Sequence, residues 1–125
     1  MERVIELFHR KGSLPYYNLG VTHAEHALQS AYLAEYSNLR SPTLIVACLL
    51  HDIGHLVESD AVPMIHEGES LDDSVGVIDH EKIGADFARM NGYGSIIEDL
   101  ILTHVDAKRV SKHEYNLSLW LRSAF

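Results

Sequence analysis

"PTLIVACLLHDIGHLV", residues 42–57, decides the fold. Ser41 is a natural N-cap and Pro42 suits the first helical turn, where no backbone N–H is needed. From there to Leu50 the segment is apolar on nearly every side, and a helix of that kind belongs in the centre of a bundle. The reading carries the helix on through His51, Asp52 and His55 to Val57. An ionised carboxylate on such a helix costs several kcal/mol to bury unless it is paired or coordinated. The basic residues nearest in sequence are Arg40 and Lys82, so no local cation answers Asp52, and a metal ion is the natural compensator.

The neighbouring segments supply the rest of the bundle. Residues 2–12 place Val4, Ile5, Leu7 and Phe8 on one side of a short helix ending at Gly12. Pro15 and Gly20 punctuate a loop, after which Thr22 and Glu25 form a capping-box pair for a helix over "HAEHALQSAYLAEYSN". Residues 58–76 are acidic and broken by Pro63, Gly68 and Gly76, a long loop that suits a lid. Asp79 caps and Gly92 ends a helix over "HEKIGADFARM", and a further helix covers residues 94–110. The tail from Ser111 is a weaker helical candidate. With no strand alternation and no repeat, the expectation is an all-α bundle of five or six helices forming a single domain over residues 1–125.

Composition narrows the function classes. A net charge of −8 argues against a phosphate-backbone binder, so nucleic acid is not an expected partner. No apolar run approaches the ~20 residues that span a bilayer, and "MERVIELF" lacks the basic start and apolar stretch of a secretory leader. The expectation is a cytoplasmic protein without a membrane partner. The one cysteine, Cys48, falls in the apolar run as a small buried hydrophobe. Nine histidines are many for 125 residues, and several adjoin apolar helical segments.

His51 and Asp52 are adjacent, about 100° apart around a helix, so both reach one ion from the same side. On the same helical reading His55 lies one turn beyond His51. His26, His80 and His104 occupy helix positions within three other apolar patterns, and ligands gathered from several helices are how bundle cores build metal sites. Imidazole with carboxylate suits zinc, iron or nickel rather than calcium or magnesium alone. Four histidines sharing one aspartate exceed the needs of a single tetrahedral ion and point to two ions bridged by Asp52. Taken alone, Lys108 reads as a cation near a helix carboxy terminus, and Tyr16 and Tyr17 as packing over the bundle end. His9, His66 and His113 read as surface or loop residues.

"HDIGH" with a histidine on the preceding helix resembles the HD-domain superfamily, whose usual members are metal-dependent phosphohydrolases. Within it, "VTHAEHALQSAYLAE", "ACLLHDIGH", "GVIDHEKIGADF" and "THVDAKR" together are most similar to mixed-valence di-iron oxygenases that cleave the carbon-phosphorus bond of 2-amino-1-hydroxyethylphosphonate-type compounds. The resemblance covers most of residues 15–110. It implies one iron held by His26, His51 and Asp52, and a second held by Asp52, His80 and His104. It further implies Lys108 and His55 as contacts to the phosphonate and Tyr16 as the aromatic over the open iron position. Dioxygen is then the co-substrate, a small organophosphonate the partner, and phosphate and a carboxylic acid the products.

Three positions depart from that pattern. The family closes its first iron with an aspartate on a late helix, and Asp106, two residues past His104, faces elsewhere. The chain is therefore expected to lack the family's carboxy-terminal helices. Leu19 stands where related enzymes carry a glutamate that recognises the amino end of the substrate. "HAEH" replaces "QLEH", making His23 either a partner to the ligands or a solvated residue at the helix start. Two alternatives accompany the oxygenase reading: an HD-type phosphohydrolase of a phosphate ester or nucleotide, and a non-catalytic, metal-stabilised module. His80 and His104 favour the oxygenase over a one-metal hydrolase, whereas the missing aspartate favours the module.

Overall fold

The computed structural model describes residues 1–17, 19–57 and 77–113, with side chains to residue 110. These residues form five α-helices: α1 (Glu2–Lys11), α2 (His23–Glu35), α3 (Pro42–Leu50), α4 (His80–Met90) and α5 (Gly94–His113). A single 3-10 turn, Ile53–His55, follows α3. Among the described residues there is no strand, only an isolated antiparallel bridge between Pro15 and Thr22. The all-α expectation holds. The acidic loop at residues 58–76, its lid reading and the tail beyond residue 113 lie outside the described residues.

Helix starts follow the side chains that satisfy them. The Thr22 side chain accepts from the Glu25 N–H at 3.1 Å while Glu25 Oε2 accepts from the Thr22 N–H at 2.8 Å, a complete capping box. Ser41 accepts from the Leu44 N–H at 3.3 Å with Pro42 at the first helical position. Asp79 departs from expectation: it stands at the N-cap of α4 in a left-handed conformation (φ 57°) without a side-chain cap, its carboxylate lying 3.3 Å from Lys82 Nζ instead. Gly92, at φ 77°, follows the end of α4 as its sequence position implies.

The expected helix through Val57 is not continuous. It stops at Leu50, His51 is its C-cap, and the chain turns through Asp52 into the 3-10 segment. His55 is consequently not one helical turn above His51, and its place is set by the turn. Gly54 makes that turn possible. A Cβ there would run into the His80 carbonyl and come 2.9 Å from the Gly84 nitrogen, while a Cβ on Gly84 would lie 3.1 Å from Ile101 Cγ2. Two glycines thus let the turn press on the start of α4 and let α4 press on α5.

The main core gathers Val4, Leu50, Ile53, Leu56, Ala85, Phe87, Ala88 and Ile101. Leu50 and Ile53 sandwich His51 and Asp52 in sequence, so burying the apolar pair carries the polar pair inside with it. α3 packs on both α2 and α5, and α4 packs on α5 and the turn. The four elements around the turn converge on Asp52.

Candidate metal centre

Asp52 is buried, and each of its oxygens faces two imidazoles. Oδ2 lies 2.9 Å from His51 Nε2 and 3.2 Å from His26 Nε2. Oδ1 lies 3.2 Å from both His80 Nε2 and His104 Nε2. Within each pair the two Nε2 atoms are 3.1 Å apart. The donors fall into two triads sharing the carboxylate, His26–His51–Asp52 and Asp52–His80–His104, with all atoms of a triad within 4.8 Å of one another. These are the five residues expected from the sequence, brought together from α2, the end of α3, α4 and α5.

The chemistry of this donor set fits a metal. His51 donates its Nδ1–H to the Cys48 carbonyl at 2.6 Å, and His104 donates its own to the Ile101 carbonyl at 2.5 Å. Both bonds run back to the residue three positions earlier, so the local backbone fixes the tautomer. In the neutral rings the Nε2 lone pairs then face carboxylate oxygens and each other's partners at hydrogen-bond distance. Lone pairs so opposed need a cation between them, and a carbonyl on the far nitrogen is the usual support of a metal-bound histidine. A proton on His51 is disfavoured, because complete burial pushes its imidazole down, against the pull of Asp52. Burial raises the Asp52 carboxyl, but the electrostatic pull of His51 and the polar contacts with His104, His26 and His51 outweigh it and hold the group well below the usual carboxylate range. A metal ion at either triad would supply the positive charge that these contacts call for.

An aromatic wall closes one side. Tyr16, 6% exposed, donates its hydroxyl to Asp52 Oδ2 at 2.8 Å and stacks on His26 with ring centroids 4.0 Å apart. Burial, then the Asp52 charge, pushes its phenol far above the ordinary range, so it stays a donor. His55 stacks on His80 at 4.0 Å and stands 3.9 Å from Asp52 Oδ1. His23 is half-buried, 5.1 Å from the Tyr16 ring and 5.5 Å from that of His55, and burial lowers its pKa. It belongs to the wall rather than to solvent. Lys108 is partly buried on α5 one turn past His104, near enough for its charge to act on His51.

Asp106 points away, as expected: it is exposed and lies 3.3 Å from Arg109 Nη1. One residue went unnamed in the sequence reading, and another was read there only as packing over the bundle end. Glu81 places Oε2 3.7 Å from His80 Nδ1, on the far side of that ligand. Tyr17 places its hydroxyl 3.1 Å from His55 Nε2 and holds a left-handed φ of 45°, a conformation that costs a bulky residue about 1–3 kcal/mol. The resemblance singled out Tyr16 of this tyrosine pair, and only the fold brings Tyr17 to His55.

The chain is 38% identical over 112 residues to a [1-hydroxy-2-(trimethylamino)ethyl]phosphonate dioxygenase (glycine-betaine-forming) of Leisingera caerulea, covering 87% of the chain and 53% of that protein. It is 36% identical over 110 residues to a hydroxymethylphosphonate dioxygenase of Gimesia maris, covering 86% and 51%. It is also 35% identical over 121 residues to an uncharacterised protein of Acanthamoeba polyphaga mimivirus, covering 93% and 51%. The chain therefore spans about half the length of the curated relatives it matches. The HD domain model matches residues 23–121, a stretch that opens at the head of α2 and takes in all five ligand candidates. On that match, the chain belongs to the HD domain family.

Proposed function

We propose that the protein is a non-haem di-iron oxygenase that cleaves the carbon-phosphorus bond of a small hydroxylated phosphonate. One observation carries the reading: a single buried carboxylate presents each of its oxygens to a separate pair of imidazoles at 2.9–3.2 Å. A one-metal hydrolytic site has no use for the second pair. Relatives whose names specify dioxygenases acting on hydroxylated phosphonates support the choice of reaction.

In this reading His26, His51 and Asp52 hold one iron, and Asp52, His80 and His104 the other. Histidine-rich sets with one carboxylate suit iron. When bound, a mixed-valence iron pair supplies the activation of dioxygen and the Lewis acidity toward substrate oxygens. The chain's own residues do the rest. Asp52 stays ionised, and Tyr16 holds Oδ2 with a hydroxyl that does not give up its proton. Lys108 supplies a positive charge on the α5 side for the phosphonate, with His55 on the opposite wall. Tyr16, Tyr17 and His23 limit access of water. In the balanced reaction a 1-hydroxyphosphonate and one dioxygen yield a carboxylate, phosphate and a proton, with the carbon-phosphorus bond broken and the hydroxyl-bearing carbon oxidised.

The test is to purify the protein without oxygen, measure bound metals and record the electron paramagnetic resonance spectrum of a partly oxidised sample. A coupled iron(II)/iron(III) signal that shifts on adding hydroxymethylphosphonate is the expected result. Zinc or manganese with phosphate released from a phosphate ester in the absence of oxygen overturns it in favour of hydrolysis. Failure to retain stoichiometric metal leaves a non-catalytic module.

A further inference from the structure

Tyr17 stands beside the candidate site without being one of its ligand residues, and its hydrogen bonding has a direction. The Val77 N–H donates to His55 Nδ1 at 3.2 Å. A backbone N–H is only a donor, so Nδ1 is an acceptor and the hydrogen of the ring is on Nε2. That Nε2–H meets the Tyr17 hydroxyl oxygen at 3.1 Å, whereas Asp52 Oδ1 at 3.9 Å is beyond hydrogen-bond reach. Tyr17 therefore accepts from His55, and its own hydroxyl hydrogen points elsewhere. Among the described residues it has no protein acceptor. His55, with both nitrogens engaged, has no donor left to offer a ligand directly.

We propose that Tyr17 is the hydrogen-bond donor to an anionic oxygen of the substrate, and that His55 is a positioning residue acting through it. The chain of donors runs from Val77 N–H through His55 to Tyr17 and ends on the ligand, each bond polarising the next. This inference rests on the reading of the site as one for an oxyanion such as a phosphonate or phosphate. Two further features support it. Tyr17 is held at a left-handed φ of 45°, a strained conformation that recurs where a side chain must be aimed. Burial, with the Asp52 charge adding, raises its phenol to about 12, so the hydroxyl keeps its hydrogen at neutral pH.

The experiment titrates methylphosphonate and inorganic phosphate into the metal-loaded protein by calorimetry, comparing the unaltered chain with Y17F, H55Q and the double variant. Tyr17→Phe keeps the ring and removes only the hydroxyl. Losing a hydrogen bond to a charged oxygen is expected to weaken methylphosphonate binding about 10- to 100-fold, with metal content unchanged. Adding His55→Gln to Y17F should weaken binding little further, because His55 acts through the phenol. In turnover, Y17F should raise KM more than it lowers kcat.

Should H55Q fail to fold, the 15N spectrum of the zinc-substituted protein reads the same point, with hydrogen expected on His55 Nε2. Unchanged anion binding by Y17F overturns the proposal, as do multiplying effects of the two substitutions, loss of metal from Y17F, or hydrogen on Nδ1. If the unaltered protein binds neither anion, the oxyanion reading of the site falls, and this inference falls with it.

Discussion

At the scale of single residues, Asp52 carries most of the site. Its carboxylate is 7% exposed and meets four imidazole nitrogens, an arrangement that is costly without compensating charge. Asp52→Asn keeps the shape and removes the charge. If the residue bridges, both metals are lost together, whereas His104→Ala removes chiefly the one it shares with His80; elemental analysis of the purified variants checks this, and two ions retained by D52N would contradict the bridge. His55 gives a second expectation, for the metal-free protein. Burial, with His80 adding, pushes its imidazole from 6.5 down to about 3. Between those values the unfolded chain binds a proton that the folded chain does not. Stability is therefore complete above pH 6.5 and falls as pH drops toward 3, with a slope from this group of up to about 1.4 kcal/mol per pH unit. Asp52, also depressed, adds its own loss below its ordinary 3.8. Urea unfolding at several pH values should show a shallower slope between pH 6.5 and 4 in H55Q than in the unaltered protein, and equal slopes would discount the burial of this ring.

Elements matter through the way they meet. Gly54 lies where the turn after α3 touches the first residue of α4, and an added methyl there collides with backbone rather than with a flexible side chain. Gly54→Ala should destabilise the fold by about 3 kcal/mol and move His80 away from Asp52, so metal at the His80–His104 side weakens before the other. Denaturant melts together with metal titrations read both effects. The sequence made the helix starts legible: Thr22 with Glu25, and Ser41 with Pro42, act through residues three apart or adjacent. It did not reveal the end of α3 at His51, because "HDIGH" contains no proline and its glycine is needed for a contact with α4 some thirty positions away in the chain. That contact between Gly54 and Gly84 is a property of two elements, and neither segment announces it alone. The five ligand candidates were legible for the opposite reason. Each is a polar group on an apolar face, a conflict that one local segment displays.

At the scale of the whole molecule, the wall of the site shows where sequence reading runs out. Tyr16 and Tyr17 are consecutive, yet one ring stacks on His26 and the other stands against His55, a division set by the loop between Pro15 and Thr22. The same convergence makes metal a structural tie. His26 on α2, His51 at the end of α3, His80 on α4 and His104 on α5 meet on one carboxylate, so a bound ion links elements that are distant in sequence. Only the folded chain assembles these triads, and a ligand that binds the folded state alone adds stability as the logarithm of its concentration over Kd. At a hundredfold excess over Kd that is about 2.7 kcal/mol per ion. For a chain of 125 residues, at roughly 4 °C per kcal/mol, each ion raises Tm by about 10 °C. Scanning calorimetry of the metal-loaded protein before and after treatment with a strong chelator should show a drop of about 10 °C for each ion removed, and D52N should show none because it has no ion to lose. An unaltered protein that melts at the same temperature in both states would mean that the four imidazoles and their carboxylate hold together without a cation.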